Sequence, residues 1–341
     1  MTPKERYHAT IRGDSVDRIP VTPIFMAWAA HLIGRTYRDY YLDGDVLVEA
    51  QLAAARLFDT DQVSAISDPW REASGFGMEF DYPEQGVGIP MRYLLGSPAD
   101  VAQLRVCDIN ACPRMQQRVE SVAKLASAVG RTHSVLGWVE GPLAEYSDLR
   151  DVQQAMLDLA TDPQMYLDAA ETIVETGIAF ARAQIDAGAD VIGVGDAAAS
   201  LIGPEMYVRH VFPLEKRLFD AIHEAGAVVK LHICGNIAGI IGHIAEAGPD
   251  VIDVDWMVPL DEAREKVGPE VTLCGSFDPV EVLSRSTPQE IAEAARQNIA
   301  DAGDRFVLQP GCEVPQGTPQ ANISAFCPGE GCLIADALHR A

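Results

Sequence analysis

The 341-residue sequence contains no apolar run of the roughly 18 residues that a transmembrane helix needs. Its opening residues, Met1 to Arg6, lack the apolar core of a secretory signal, so a cytoplasmic location and no membrane partner are expected. Cations are scarce. Lys and Arg total 26 against 50 Asp and Glu, giving a formal charge of −24 with no basic cluster, which excludes nucleic acid and anionic lipid as partners. No Gly-x-Gly-x-x-Gly turn follows the first apolar run, which argues against an open dinucleotide-binding sheet. Repeats, low-complexity tracts and flexible linkers are also absent, so residues 1–341 are expected to form one domain. The 7 cysteines have no secretory signal before them and are expected to stay reduced, serving metals or chemistry rather than disulfides.

What is present is alternation. Short β-branched runs recur at Pro20–Phe25, Gln62–Ser67, Ser134–Val139, Asp190–Asp196, Val228–Gly235, Val251–Asp255, Val271–Ser276 and Arg305–Gly311. Several are nearly continuous in apolar residues, as in parallel strands covered on both faces. Helical segments lie between them: Asp45–Phe58, one opening at Pro163 and ending near Ala187, one from Pro204 to near Gly226, and two opening at Pro279 and Pro288. Thr2-Pro-Lys-Glu5 predicts a capping box for an additional N-terminal helix. Eight strands alternating with helices predict an α/β fold, a single (β/α)8 TIM barrel. The Gly- and Pro-punctuated stretch Trp70–Cys112 reads as an irregular insertion after the second strand, with a hairpin, folding over the barrel mouth.

In such barrels chemistry sits at the C-terminal ends of the strands. His232 and Cys234 stand two apart in an apolar strand, so their side chains emerge on one face. Cys312 closes another strand. One imidazole and two thiols suit zinc and leave one tetrahedral position open, the pattern of a catalytic site. Asp255 is the favoured resting occupant of that position, with Asp253 or water as alternatives. Asp196 reads either as a contact to substrate or cofactor or as a helix N-cap, and Gly195 before it allows close backbone approach. Glu140 faces the same rim, where Asn236 and Ser276 are candidate cofactor contacts. Phe25, Met26 and Trp28 read either as the wall of an apolar pocket, with Trp138 in the same aromatic mouth, or, as such residues more often are, as core. Cys274 reads as a core hydrophobe. Cys107 with Cys112, and Cys327 with Cys332, read as unligated surface thiols.

These residues resemble the uroporphyrinogen decarboxylase superfamily and, more specifically, its zinc-dependent corrinoid-linked methyltransferase branch. The resemblance is carried by His232-Ile-Cys234-Gly-Asn236, Gly311-Cys312, Gly188 to Asp196 with Pro204-Glu-Met-Tyr207, Arg18-Ile-Pro20, the Trp138–Leu149 segment and Pro315 to Asn322. It implies a TIM barrel, zinc held by His232, Cys234 and Cys312, and methyl transfer between a small substrate and the cobalt of a corrinoid. The substrate is either a methylated donor, with a methoxylated aromatic favoured, or a thiol acceptor. This chain lacks the Asp-x-His-x-x-Gly loop of corrinoid carriers, so the corrinoid is expected on a partner protein; a homodimer is left open. After the first strand, Phe25 to Ile33 lacks the arginine cluster with which the decarboxylase would bind a multiply carboxylated tetrapyrrole. Two alternatives remain: a cofactor-free decarboxylase, and a non-enzymatic protein that binds zinc or corrinoid.

Overall fold

The computed structural model describes residues 1–84 and 86–339. Its strands are β1 (Gln62–Ser64), β2 (Phe80–Asp81), β3 (Ile89–Pro90), β4 (Ser134–Glu140), β5 (Val191–Gly195), β6 (Val228–Ile233), β7 (Val251–Val254), β8 (Thr272–Phe277) and β9 (Phe306–Pro310). Seven of them form one parallel sheet in the order β1-β4-β5-β6-β7-β8-β9, curled into a TIM barrel with helices around it. All residues of β5 and β8 are buried, β5 as its unbroken apolar character requires and β8 with Thr272 and Ser276 among its apolar residues.

The expected first strand, Pro20–Phe25, is reduced to a single bridge at Val21. Pro20 and Asp61 close the ring from either side of it: Leu308 N donates to Pro20 O at 2.9 Å, and Asp61 N to Val21 O at 3.0 Å. The seam is therefore held by side chains as much as by a ladder. Asp61 is fully buried and accepts from Arg6, from Arg18 at 2.6 Å and from Val21 N at 2.7 Å. Pro23, one position beyond the paired residues, has no N–H with which to extend a ladder.

The N-terminal helix Pro3–Arg12 carries the expected capping box, with Glu5 N donating to Thr2 Oγ1 at 3.2 Å and Thr2 N to Glu5 Oε2 at 2.8 Å. This helix places Tyr7 against Val191, Val251 and Val307 in the barrel interior. Helix Gly44–Phe58 buries Val46, Leu47, Ala50, Ala54 and Phe58, one apolar stripe at helical spacing. The segment expected as one helix from Pro204 is instead broken by a π-helical turn at Tyr207–Val211 before Phe212–Glu224, and Pro279–Ser284 is π-helical too. Between β1 and β4 the insertion holds the expected hairpin, β2 paired antiparallel with β3, preceded by helix Trp70–Gly75. Among the described residues no helix is long and apolar enough to cross a membrane.

Candidate active site

Strand register puts Glu140 beside Gly195, Gly195 beside His232, and His232 beside Asp253, so one level of the barrel rim carries the candidate groups. His232 Nε2 lies 3.0 Å from Cys234 Sγ and 3.7 Å from Cys312 Sγ, and the two sulfurs are 3.8 Å apart. A tetrahedral zinc with bonds of ~2.3 Å to sulfur and ~2.0 Å to nitrogen sets edges of about 3.8 Å between sulfurs and about 3.5 Å from sulfur to nitrogen. The three side chains therefore fit that ion, and they are the only such group of three among the described residues. A hydrogen bond from Cys234, with help from His232, pulls the Cys312 thiol down to about 4, while the same contact and burial push Cys234 up. Cys312 is thus the thiol that ionises most readily, and a metal binding here would displace the protons that Cys234 and His232 hold more tightly.

Behind His232 lies a buried polar network. Its Nδ1 is 3.4 Å from Asp253 Oδ2. Asp253 in turn receives both hydrogen-bonding contacts of Gln309 Nε2, each 2.7 Å, and Lys230 Nζ at 3.1 Å. Lys230 also donates to Gln309 Oε1 at 2.8 Å. Burial opposes charge on Asp253, but Lys230 and His232 overcome it and hold the carboxyl below its usual range. Lys230 and Gln309 carry no assignment from the sequence, and Asp253, an alternative there for the open zinc position, instead lies behind His232 on its Nδ1 side. Lys230 is two residues from His232 on one strand, which places it on the same face, and this was the available signal.

Asp255 stands apart from the trio. Its Oδ2 accepts from Gly235 N at 2.9 Å and its Oδ1 from Met257 N at 3.2 Å, so it fixes the loop after Cys234. Asp196 accepts from Ala144 N at 2.6 Å and Leu143 N at 3.3 Å. It therefore caps helix Pro142–Arg150, which follows β4, rather than the turn after its own strand. Burial pushes Asp196 up to about 7, opposed by those two N–H donors. Gly195 and Gly193 leave space for a side chain: a Cβ on Gly193 would sit 2.2 Å from Trp138 Cε3, and one on Gly195 would sit 2.9 Å from Trp138 Cζ2. Trp138 thereby lies inside the barrel, its ring 6.5 Å from that of His232. Asn236 is exposed and accepts from Ala238 N at 3.0 Å, while Ser276 is buried in β8.

Glu140 faces the rim and is met by the insertion. Arg71, fully buried on helix Trp70–Gly75, pairs with Glu140 and lies 3.4 Å from Glu72, which accepts from Glu140 N at 2.9 Å. Trp138 Nε1 donates to Glu140 at 3.2 Å. Burial, aided by Glu72 and opposed by Arg71, pushes Glu140 up to about 8. A cleft of about 530 Å³ opens beside Cys234, walled by Trp70, Tyr93, Ala197 and Leu201, with Glu140 and Asp148 at its edge.

The aromatic wall is thus built by the insertion. Phe25 and Trp28 take the core alternative and pack on Phe58, with Trp28 Nε1 donating to Thr318 O at 2.8 Å. Two thiol expectations also change. Cys327 and Cys112 are buried and are not surface groups, while Cys107 and Cys332 are partly exposed. Cys327 sits in the apolar cluster with Phe326 and Ile334, where a small thiol packs as a hydrophobe. Cys274 is buried inside the barrel as expected.

Residues 2–328 match the family model described as uroporphyrinogen decarboxylase. The chain is 27% identical to methylcobamide:CoM methyltransferase MtbA of Methanosarcina acetivorans, over 94% of this chain and 95% of that protein. It is 28% identical to uroporphyrinogen decarboxylase of Streptomyces griseus, over 86% of this chain and 82% of that one. A solved methyltransferase from Methanosarcina mazei superimposes with a TM-score of 0.87 at 23% identity, covering 95% of this chain and 97% of the other.

Proposed function

The chain belongs to the uroporphyrinogen decarboxylase family, and from that premise we propose that it moves a methyl group between a small substrate and the cobalt of a corrinoid carried by a separate protein. The observation that carries this reading is the His232, Cys234 and Cys312 trio, spaced for a tetrahedral metal, with Cys234 in the wall of an apolar cleft. Zinc held by these three side chains would supply Lewis acidity toward a donor oxygen or a thiol. Asp253 orients His232, and Lys230 with Gln309 keeps Asp253 ionised and aimed. Asp255 anchors the loop that carries Cys234. Asp196 fixes the start of helix Pro142–Arg150, which presents Ala144, Ser147 and Asp148 to the cleft. Glu140, held by Arg71, keeps a proton at the rim near neutral pH.

The methyl donor direction is favoured over a thiol acceptor because Trp70 and Tyr93 supply flat apolar walls for an aromatic ring. The C-terminal side of the barrel exposes Leu201, Trp256, Met257 and Val280, each in a segment following a barrel strand, and these suit docking of a protein that brings the corrinoid. Decarboxylation of a multiply anionic substrate is disfavoured: the cleft is lined by acids and apolar groups, with no lysine or arginine. The test is to mix the protein with a reduced corrinoid carrier and a panel of methoxylated, methylamine and thiol compounds while following the cobalt absorption spectrum. A spectral change is expected with the wild type. It is expected to vanish in Cys234→Ala together with bound zinc, and full activity in that variant without zinc refutes the reading.

A further inference from the structure

We propose that the molecule seated beside Cys234 is an uncharged aryl methyl ether, and that the cleft rejects carboxylated aromatics of the same shape. The inference rests on the methyl-transfer reading and adds the charge and shape of the donor. The cleft, at about 530 Å³, suits a single substituted ring. Trp70 and Tyr93 offer aromatic faces, and Val152 and Leu201 complete apolar walls. Its lining includes no lysine, arginine or histidine. Glu140 and Asp148 are the acids that line it.

The guanidinium behind Glu140 does not serve an incoming anion. Arg71 is fully buried, paired with Glu140, close to Glu72, and donates to the Asp68 carbonyl. A carboxylate entering the cleft would lose water and gain no free cation in return. The net charge of −24 adds to its exclusion. Burial pushes Glu140 up to about 8 and, with the Glu140 and Glu72 charges adding to it, raises Asp148 well above the usual range. Glu140 is thereby able to donate a hydrogen bond to an uncharged oxygen near neutral pH, and the upward shift of Asp148 disfavours a second charge in the same cleft. In the donor direction the O–CH3 bond breaks and the Co(I) electron pair forms the bond to carbon. The ether oxygen keeps its bonding pair as phenolate and takes a proton from water or from Glu140.

The test is calorimetric binding to the zinc-loaded full chain without corrinoid carrier, using para-methoxybenzyl alcohol, para-methoxybenzoate and para-methoxybenzylammonium. The alcohol is expected to bind about tenfold or more tightly than the benzoate, and more tightly than the ammonium. Equal or tighter binding of either ion overturns the proposal, as does failure of the alcohol to bind. Leu201→Arg changes an exposed residue on the lip of the cleft and so leaves the fold intact. It is expected to strengthen benzoate binding by about tenfold through a new ion pair, and an unchanged benzoate affinity places the ring elsewhere and overturns the proposal. The cobalt spectrum separates the two readings. Binding of the alcohol with no methyl transfer to any carrier refutes the methyl-transfer function and leaves the charge selection standing.

Discussion

His232 Nδ1 lies 3.4 Å from Asp253 Oδ2, while the other ring nitrogen, Nε2, faces the two sulfurs. The carboxylate thereby favours the tautomer whose free nitrogen meets a metal. Asp253→Asn keeps the shape and removes the charge. Metal affinity is expected to fall by about 10- to 100-fold, read by competition with a chelator. Lys230→Met acts differently, because it leaves Asp253 ionised in a dry interior. Stability is expected to fall by about 3–5 kcal/mol in urea unfolding, with the metal still bound to the folded fraction. Unchanged affinity in Asp253→Asn would show that the carboxylate does not orient the imidazole.

Buried acids give the metal-free protein a pH-dependent stability of unusual sign. Burial pushes Glu140 up to about 8, and Asp196 and Glu313 each up to about 7. Between about pH 4 and 8 the folded chain keeps protons that the unfolded chain has released, so unfolding free energy declines as pH rises through that window. The urea midpoint of chelator-treated protein is expected to be higher at pH 5.5 than at pH 8.5. Asp196→Asn, which keeps an oxygen for Ala144 N, is expected to flatten the part of this slope below about pH 7. A midpoint that climbs steadily toward alkaline pH contradicts the assignment.

Much of this was legible in the residues. Alternating apolar and helical runs predict the barrel, and the two-residue spacing of His232 and Cys234 with a distant Cys312 predicts the trio that the fold assembles. The misses are long-range. Pro20–Phe25 reads as a strand by composition, yet pairing at the seam passes to Asp61 and its arginines after Val21. Trp28 and Phe25 read as either pocket wall or core, because aromatics near a strand end look alike whether they face a ligand or Phe58, and the core reading holds. Asp196 caps a helix 52 residues earlier in the chain, measured to Ala144, a partnership that local pattern does not encode. Arg71 and Trp70 lie in an insertion whose Gly and Pro content signals irregularity but not where it lands.

The Trp138 ring occupies space left by glycine on the neighbouring strand. A methyl group at Gly193 would lie 2.2 Å from Trp138 Cε3, with backbone on both sides in the centre of the sheet. Gly193→Ala is expected to cost about 1–3 kcal/mol in stability and to shift tryptophan emission as the ring moves. Trp138 Nε1 also donates to Glu140, so displacement should alter the Glu140 environment and with it the pH profile of the proposed methyl transfer. A variant with wild-type emission and stability would mean that the barrel interior has room the structure does not show.

At the opposite end of the barrel, Asp61 closes the ring where the first strand is missing. It is fully buried and accepts from Arg6, Arg18 and Val21 N. Asp61→Ala strips two buried guanidiniums of their shared partner and the seam of one backbone contact, with an expected loss of about 3–5 kcal/mol. Asp61 precedes β1, whereas His232 sits near the C-terminal end of β6 and Cys234 and Cys312 follow β6 and β9. Zinc bound per folded molecule is therefore expected to stay at the wild-type level while the urea midpoint drops. Loss of zinc at unchanged stability would show that seam and metal site are coupled through the barrel, and that the network around Lys230 transmits strain rather than insulating the site from it.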